Sequence, residues 1–328
     1  MQTDLPTRAF GRTGMDITRT GFGAWAIGGN MWGPQVDADS IAAIRHAVEA
    51  GINWIDTAAV YGNGHSEEVI RAALEPYGTD DRPYVFTKGG IIRDSEGKNP
   101  QRIAANIRAQ CEESLRRLGV EQLDLYQLHW PADDVSLEES WGAMLKLKED
   151  GLAAHVGLSN HWVEQLSEAE QIGHVETLQP PFSAIKRTAG NTVLPWCEMR
   201  QTGVICYSPM QAGLLTGAFT AERAAALDEN DWRRENPDFQ GDALAANLAL
   251  AEALKPIAEK HGVSQGAIAL GWCMAWPGLS GTIVGARSPE QVDGWLPAAS
   301  MRLDAGDMEA IAVAIEETGA GEGPPRPA

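Results

Sequence analysis

Basic residues are scarce in this chain of 328 residues, which carries 26 Lys and Arg against 45 Asp and Glu and a formal charge of −19. Nucleic acids bind through phosphates that attract Lys and Arg, so this balance argues against a nucleic-acid partner. An acidic surface mainly promotes solubility and identifies no partner. Cysteine is also rare, and its four residues show no Cys-x-x-Cys or other metal-ligand spacing, which fits a reducing cytoplasm.

Long hydrophobic runs are missing as well. The longest apolar stretch, residues 267–276, is far shorter than the roughly 20 residues that span a bilayer. Residues 1–6 show no basic segment followed by an apolar stretch, so no signal peptide is predicted. We therefore predict a cytoplasmic protein without membrane contact, and leave its oligomeric state open. No metal site is predicted, because no ligand spacing relates His65, His155, His161 and His174.

Apolar, β-branched runs that end abruptly in a polar or small residue occur seven times, each followed by a helical pattern. Short apolar runs separated by helices indicate parallel strands that are buried on both faces. Residues 21–23 add a first strand, and the strand ends are mostly about 20–40 residues apart. The pattern predicts an α/β fold, a (β/α)8 TIM barrel. The seven runs end at Asp56, Lys88, His129, Asn160, Gln179, Tyr207 and Gly285.

Several segments lie outside this repeating unit. Residues 7–10 and 15–18 flank a Gly-rich turn and predict an N-terminal β-hairpin. Residues 211–241 break the pattern and are expected to form a loop over the active face. No Pro/Gly-rich linker divides residues 1–318, which are predicted to form a single domain. The Gly/Pro-rich residues 319–328 are predicted to be a disordered tail.

Local signals place several of the helices. The third helix is predicted to run from Asn99-Pro100 to Gly119, and residues 136–139 have the spacing of a capping box that opens the fourth. Extra helices are predicted after strand seven, at residues 243–260 and 264–276. A further helix is predicted at the C-terminus.

A doubly wound sheet is the rival fold. Residues 21–26 match the dinucleotide-binding pattern G-x-G-x-x-A. That pattern has to open a helix, whereas here it runs into Gly28-Gly29, Trp32, Gly33 and Pro34, which are typical of a loop. The barrel is therefore the favoured prediction.

Four side chains that can carry chemistry fall on the predicted carboxyl rim of the barrel, where such folds hold their active sites. Asp56, Lys88 and His129 end successive strands, and Tyr61 follows closely after Asp56. A tyrosine with a pKa of about 10 keeps its proton at neutral pH. A nearby ammonium favours the phenolate, and a carboxylate keeps that ammonium charged. With a neutral imidazole to orient a substrate oxygen, the set suits proton delivery to a carbonyl oxygen while a nicotinamide hydride attacks carbon.

The other strand ends suit a nicotinamide cofactor. Asn160 and Gln179 carry amides that can bond a carboxamide, and Tyr207 offers a flat ring for stacking. Each has a structural alternative, namely a helix N-cap for Asn160, a turn residue for Gln179 and a core aromatic for Tyr207. After strand eight, Arg287 precedes the sequence Ser-Pro-Glu-Gln at 288–291, which predicts a capped helix N-terminus beside an arginine and hence an anion site.

Together these residues resemble the aldo-keto reductase family over residues 7–317. The family's catalytic Asp, Tyr, Lys and His fall on Asp56, Tyr61, Lys88 and His129. The resemblance implies that Tyr61 is the general acid and that Lys88 lowers its pKa. It further implies that Asp56 orients Lys88, that His129 positions the carbonyl, and that the cofactor lies extended across the barrel mouth without a Rossmann domain.

The cofactor motifs of this family resemble residues 157–160 (Gly-Leu-Ser-Asn), 207–217 and 285–291. Arg287 would contact the adenosine 2′-phosphate, so the resemblance implies NADP, with NADPH preferred over NADH. Near the adenine, where relatives commonly carry Glu and Asn, this chain has Gly294-Trp295. The implied cofactor contacts are Gly23, Ala24, Trp25, Asp56, Ser159, Asn160, Gln179, Tyr207, Ser208, Pro209, Met210, Gln211, Gly213, Leu214, Gly285, Arg287 and Gln291.

The sequence thus predicts NADPH-dependent reduction of small aldehydes or ketones to alcohols by hydride transfer. Alternatives are a sugar or alcohol dehydrogenase that runs in the oxidative direction, and a slow redox-sensing subunit resembling the β subunits of potassium channels. A Schiff-base lyase acting through Lys88 is a further, less favoured alternative. The predicted substrate pocket consists of Trp25, Trp32, Tyr61, His129 and Trp130.

Overall fold

The computed structural model of the chain describes residues 5–29, 35–78, 81–93, 101–229 and 231–327. Eight parallel strands close into a barrel, and two short antiparallel strands form a hairpin beside it. The predicted (β/α)8 barrel with an N-terminal hairpin is therefore confirmed. The strands are β1 (Thr7–Ala9), β2 (Asp16–Thr18), β3 (Thr20–Gly23), β4 (Trp54–Asp56), β5 (Tyr84–Gly89), β6 (Leu123–Leu128), β7 (Ala153–Ser159), β8 (Thr177–Gln179), β9 (Gly203–Cys206) and β10 (Gly281–Gly285).

The barrel follows the order of the chain. Its strands run β3 to β10 around the barrel, and β10 pairs in parallel with both β9 and β3 to close it. Parallel neighbours require long crossover connections, which the surrounding helices supply. All carboxyl ends therefore meet at one rim.

The base of the barrel is filled by an aromatic cluster. Trp54, Phe86 and Leu125 of β4, β5 and β6 pack against Phe10 and Ile17 of the hairpin, and all are fully buried. The Phe86 ring stacks on those of Phe10 and Trp54, with centroids 5.6 and 5.5 Å away. Burying a large apolar side chain stabilises a fold by roughly 1.5–3 kcal/mol. The hairpin thus belongs to the core and closes the base.

A row of four residues lies across the barrel, one inward-facing position nearer the rim than the aromatic cluster. Lys88, Gln127, Gly157 and Thr177 are successive register partners across β5, β6, β7 and β8. Because side chains alternate along a strand, this row faces the barrel axis, as the aromatic cluster does. No side chain fits at Gly157, since a Cβ there would lie 1.9 Å from Thr177 Oγ1.

Helices surround the strands, and a larger apolar cluster fills the layer between the two. The predicted capping box is present, since Ser136 Oγ accepts from the Glu139 N–H at 3.1 Å and the Glu139 carboxylate accepts from the Ser136 N–H at 3.0 Å. No helix within the described ranges has the length and apolar character needed for a membrane span. The helices are α1 (Asp37–Glu49), α2 (His65–Leu74), α3 (Ile107–Leu118), α4 (Leu137–Glu149), α5 (Val163–Ile172), α6 (Val193–Arg200), α7 (Ala221–Ala225), α8 (Gly241–Ala253), α9 (Lys255–His261), α10 (Gln265–Met274), α11 (Pro289–Trp295) and α12 (Ala305–Thr318).

Two predicted helix boundaries were wrong. Helix α3 begins at Ile107, and Asn99-Pro100 lies outside the described residues. The turn before α3 is held instead by Asp134, whose carboxylate accepts from the N–H groups of Ala104 and Ala105. The helix predicted at 243–260 is divided into α8 and α9, because Pro256 has no N–H to continue the hydrogen-bond ladder.

The loop predicted at residues 211–241 contains short helical pieces. It is made of α7 and three 3-10 helices, Gln211–Thr216, Trp232–Arg234 and Pro237–Phe239. The segment reaches the carboxyl rim, where the Trp232 ring lies 5.6 Å from that of Trp25, measured between centroids. The remaining 3-10 helices are Ala26–Gly28, Tyr61–Gly64, Thr188–Asn191 and Leu296–Ala299.

The prediction of a disordered tail does not hold for residues 319–327. Ala320 is buried, and Glu322 pairs with Lys186 in a parallel bridge. Arg326 forms ion pairs with Glu309 at 2.8 Å and with Glu316 at 2.5 Å. The composition argument fails here because backbone hydrogen bonds and ion pairs hold most of these residues, and Ala320 alone joins the apolar core.

A buried carboxylate stabilises the base of the barrel. Glu176 Oε1 accepts from Lys148 Nζ at 2.7 Å and lies 3.0 Å from His155 Nδ1, and Oε2 accepts from the Val156 N–H at 3.1 Å. Burial, the largest single effect, raises the pKa of Glu176. The hydrogen bonds from His155, Lys148 and Val156 outweigh it and bring the pKa to about 2.

We expect Glu176→Gln to lower the free energy of unfolding at neutral pH by on the order of 3 kcal/mol. Because the folded pKa lies below the ordinary value of 4.5, this stabilisation is complete above that value and disappears as the pH falls toward 2. Urea unfolding of wild type and variant at several pH values measures it. The free energies of unfolding of the two proteins should converge at acidic pH. A difference that does not depend on pH would contradict the stabilising role of the Glu176 carboxylate.

Candidate active site

The four residues predicted to carry chemistry lie together at the carboxyl rim. Asp56 ends β4, Lys88 lies in β5, and His129 directly follows β6. Tyr61 opens the short 3-10 helix Tyr61–Gly64 after β4. Asp56, Tyr61 and His129 line one cavity, whereas the Lys88 side chain is fully buried beneath it.

A buried ion pair forms the floor of the site. Lys88 Nζ lies 2.6 Å from Asp56 Oδ2 and also donates to the Thr57 carbonyl at 2.9 Å. The other carboxylate oxygen of Asp56 accepts from Gln179 Nε2 at 2.8 Å. Burial raises the pKa of Asp56 and lowers that of Lys88, and their mutual attraction opposes both shifts. Good hydrogen-bond geometry is what makes such a buried pair tolerable.

The Tyr61 phenol lies above this pair. Lys88 Nζ is 5.4 Å from the centroid of its ring, and the His129 ring meets it edge-on with centroids 5.8 Å apart. Burial raises the pKa of Tyr61, and the charge of Asp56 and the neighbouring Tyr207 raise it further. The net pKa is raised although the Lys88 ammonium is near, because burial is the largest effect and the Asp56 charge adds to it. Tyr61 is therefore a neutral phenol, the form that can donate a proton.

His129 is also neutral at physiological pH. Burial lowers its pKa well below the usual value, and the nearby Lys88 charge lowers it further. Its Nδ1 has no hydrogen-bond partner among the described residues. The backbone oxygen of His129 accepts from Asn160 Nδ2 at 2.9 Å, which fixes the position of the residue. A neutral imidazole facing Tyr61 can orient a substrate oxygen by hydrogen bonding.

Asn160, Gln179 and Tyr207 form a connected polar wall. The Tyr207 hydroxyl donates to Asn160 Oδ1 at 2.8 Å, and all three residues line the cavity. Asn160 is not a helix cap, since Trp162 occupies the N-cap position of α5. Gln179 ends β8 and binds Asp56, so it is more than a turn residue.

These residues surround a cavity of about 790 Å³ at the barrel mouth. Its apolar side includes Trp25 and Trp130, while predicted Trp32 lies outside the described residues. The predicted residues that line it are Gly23, Trp25, Asp56, Tyr61, His129, Trp130, Ser159, Asn160, Gln179, Tyr207, Ser208, Pro209, Met210, Gly213, Gly285, Arg287 and Gln291.

Three predicted cofactor contacts do not line this cavity. Ala24 and Leu214 are fully buried in the apolar layer. Gln211 is buried too, with its side chain held by Ser183 at 3.2 Å and by Asp238 at 2.7 Å. They follow lining residues in the sequence, but their side chains are buried behind the cavity wall.

Sequence reasoning missed several cavity residues, above all three arginines. Arg93 follows β5, whereas Arg223 and Arg233 lie in the 211–241 segment. The Arg233 guanidinium is held by Asp231, with Nη2 2.5 Å from Oδ2. The sequence signal that could have found these arginines is the presence of basic residues in loops of a chain that has few basic residues.

Arg287 lies at the far end of the cavity, half-buried beside α11. Its Nε donates to Gln35 Oε1, and its N–H donates to Gln291 Oε1 at 2.8 Å. Ser288 is the N-cap and Pro289 follows it as predicted, but Ser288 makes no side-chain cap bond, so the predicted capping box is incomplete. Gln291 instead fixes the Arg287 backbone.

Comparison with known proteins identifies the family of the chain. The sequence model of the Aldo/keto reductase family matches residues 19–316. The chain belongs to this family. The aldo-keto reductase YhdN of Bacillus subtilis (strain 168) is 33% identical over 311 residues, covering 93% of this chain and 92% of that protein. The NADH-specific methylglyoxal reductase of Escherichia coli (strain K12) is 29% identical over 326 residues, covering 93% of this chain and 98% of that protein.

Solved structures of the family resemble this aldo/keto reductase closely. The glycerol dehydrogenase AKR11B4 of Gluconobacter oxydans has a TM-score of 0.87 and 34% identity, with 99% of both chains covered. The holo form of aldo-keto reductase AKR11C1 of Bacillus halodurans has a TM-score of 0.78, but at 22% identity it supports the fold alone. Family membership makes this protein an oxidoreductase that acts on carbonyls or alcohols.

The site of this aldo/keto reductase suits a nicotinamide cofactor. The cavity volume lies within the range of roughly 300–1,000 Å³ that is usual for ligand and cofactor sites. Gln179 uses one N–H on Asp56, which leaves its carbonyl oxygen and second N–H for a carboxamide. Within the described ranges, no group of three or more His, Cys, Asp or Glu side chains is placed to hold a metal ion.

We expect Asp56→Asn and Lys88→Met each to destabilise the fold by about 3–5 kcal/mol, because either change leaves a buried charge without its partner. The double variant removes both charges and should lose clearly less than the sum. Urea unfolding at neutral pH of all four proteins gives the coupling energy. Strictly additive losses would show that the two groups do not stabilise each other.

Proposed function

We propose that this protein reduces small aldehydes or ketones to alcohols with NADPH, and that Tyr61 is the general acid. The observation that carries the proposal is a neutral phenol and a neutral imidazole facing one cavity above a buried Lys88–Asp56 pair. A bound reduced nicotinamide supplies the hydride. The protein must then deliver one proton to the carbonyl oxygen.

The side chains can carry out that proton transfer. His129, neutral and in edge contact with Tyr61, donates a hydrogen bond that orients the carbonyl oxygen. The Tyr61 O–H then gives its proton to that oxygen as negative charge develops there. The phenolate left behind lies close to the Lys88 ammonium, which stabilises it in a site of low dielectric constant. Asp56 and Gln179 keep the ammonium in place throughout.

Different parts of the cavity wall would hold different parts of the cofactor. Gln179 offers free amide groups to the carboxamide, and the Tyr207 ring offers a stacking surface. Asn160 already uses both N–H groups and its oxygen on the protein, so its main role is to position Tyr207 and His129. Positive charge from Arg223 and Arg287 suits the phosphates.

Oxidation of a polyol is the second candidate, favoured by the similarity to a glycerol dehydrogenase. The same residues serve the reverse reaction, with the Tyr61 phenolate as the base. Because burial and the Asp56 charge raise the pKa of Tyr61, we expect this direction to be favoured at alkaline pH. A cytoplasmic location remains a prediction from the sequence.

We expect Tyr61→Phe to abolish turnover while NADPH binding persists, because the change removes only the proton donor and keeps the ring. Turnover is followed by NADPH absorbance with a panel of aldehydes, and binding by quenching of tryptophan fluorescence. Trp162→Phe, a change at a partly exposed position outside the cavity, is the control. Equal loss of binding and turnover would contradict the assigned role.

We expect Arg287→Met to weaken NADPH binding by about tenfold or more and to leave NADH binding nearly unchanged, as for a lost hydrogen bond to a charged group. Titration with both cofactors measures the ratio. Arg200→Met is the matched control, since Arg200 stacks on Trp196 at 4.3 Å and does not line the cavity. A wild type that prefers NADH, as the Escherichia coli relative's name states for that protein, would overturn the NADPH preference.

A further inference from the structure

Residues 319–327, called here the docked tail, pair with the segment that follows β8. Lys186 and Glu322 form a parallel bridge. The Arg187 N–H donates to the Glu322 carbonyl at 2.9 Å, and the Glu322 N–H donates to the Ile185 carbonyl at 2.9 Å. The tail thus adds a short strand-like element to residues 185–187, as in recognition by β-augmentation.

A buried arginine fastens this contact. Arg187 is 4% exposed, and burial lowers its pKa. Its guanidinium donates to the carbonyls of Ala320 at 3.0 Å and Gly323 at 3.1 Å in the tail, and to that of Ala184. A buried cation needs such partners. Without the tail, Arg187 would lose two of these acceptors.

Two tail glycines permit the close approach. Gly321 and Gly323 have φ of +62° and +95°, which side chains rarely adopt. A Cβ at Gly321 would lie 1.9 Å from the Ile185 carbonyl oxygen, and one at Gly323 would lie 2.6 Å from the Arg187 carbonyl carbon. These atoms belong to the backbone and cannot move aside without moving the segment.

Side chains of the same segment also contact the 211–241 segment. Lys186 Nζ lies 3.6 Å from Glu322 Oε1 and 3.4 Å from Asp238 Oδ1. Asp238 Oδ2 in turn accepts from Gln211 Nε2 at 2.7 Å, and Ser183 Oγ binds Gln211 Oε1 at 3.2 Å. A continuous set of contacts therefore runs from the docked tail to Gln211.

Gln211 lies in a strained stretch of backbone. Ser208, Gln211 and Ala212 have φ of 56°, 45° and 49°, in the left-handed region that only glycine adopts freely. Ser208 and Ala212 line the cavity, as does Tyr207. Residues in such conformations keep them only where their surroundings hold them in place. The hydrogen bonds of Gln211 supply part of that support.

We propose that the docked tail is a positioning element for the cofactor-binding stretch 207–212, acting through residues 183–187 and Asp238. The inference rests on the proposed function, since it assumes that this stretch contacts a nicotinamide cofactor. Undocking the tail lowers the fraction of molecules in which the stretch has its binding conformation. The apparent Kd rises by the inverse of that fraction. The chemical groups of the active site stay unchanged.

The test compares two substitutions in the full-length protein. Gly321→Ala places a methyl group against the Ile185 carbonyl, whereas Gly319→Ala, at φ +65° with nothing within 4 Å of its Cβ, has comparable strain without the clash. Hydrogen exchange at the Arg187 and Glu322 amides reports docking, and tryptophan fluorescence reports NADPH binding. We expect Gly321→Ala to lose both amide protections and to raise the Kd at least about fivefold, the low end of coupling between sites.

For Gly319→Ala we expect both amides to stay protected and the Kd to stay unchanged, and kcat at saturating NADPH should remain near the wild-type value in both variants. If Gly321→Ala stays docked or fails to fold, Lys186→Met is the second test. It removes the ammonium between Glu322 and Asp238 and should raise the Kd for NADPH without loss of the amide protections. An undocked tail, or a Lys186→Met protein, with wild-type Kd overturns the inference. A wild type that binds neither NADPH nor NADH overturns instead the proposed function.

Discussion

A lysine ammonium without solvent contact, held 2.6 Å from the Asp56 carboxylate, is the interaction on which the site depends. Taking either charge out of water is unfavourable, so each persists only because the other is fixed beside it. Three strands supply the members, since Asp56 ends β4, Lys88 lies in β5 and Gln179 ends β8. Closure of the barrel is therefore a condition for the chemistry, because β8 reaches Asp56 only across the barrel mouth.

The alternation of buried strands and helices was readable from the sequence, since burial on both faces leaves an apolar run that stops at the rim. The same rule located Asp56, Lys88 and His129, because a polar residue that ends such a run lies at the mouth or directly beneath it. Sequence signals also predicted features that depend only on neighbouring residues, such as the capping box at Ser136.

What could not be predicted depends on contacts between distant parts of the chain. The pKa of Tyr61 rises although a lysine is near, because burial dominates and the Asp56 charge adds to it. Glycine and proline at the C-terminus suggested disorder, yet the carbonyls there bind Arg187 from a segment more than 130 residues earlier. The cavity arginines Arg223 and Arg233 lie in a segment whose sequence has no periodic pattern to place them.

The close contact between Gly157 and Thr177 has a consequence for how this barrel changes during evolution. The hydroxyl of one residue occupies the space that any side chain at the other would need. The Thr177 carbonyl oxygen would also lie 2.8 Å from a Cβ at position 157, so a smaller side chain at position 177 would not by itself make room for one. Glycine is thus expected at position 157 among close homologues unless the backbones of β7 and β8 move apart.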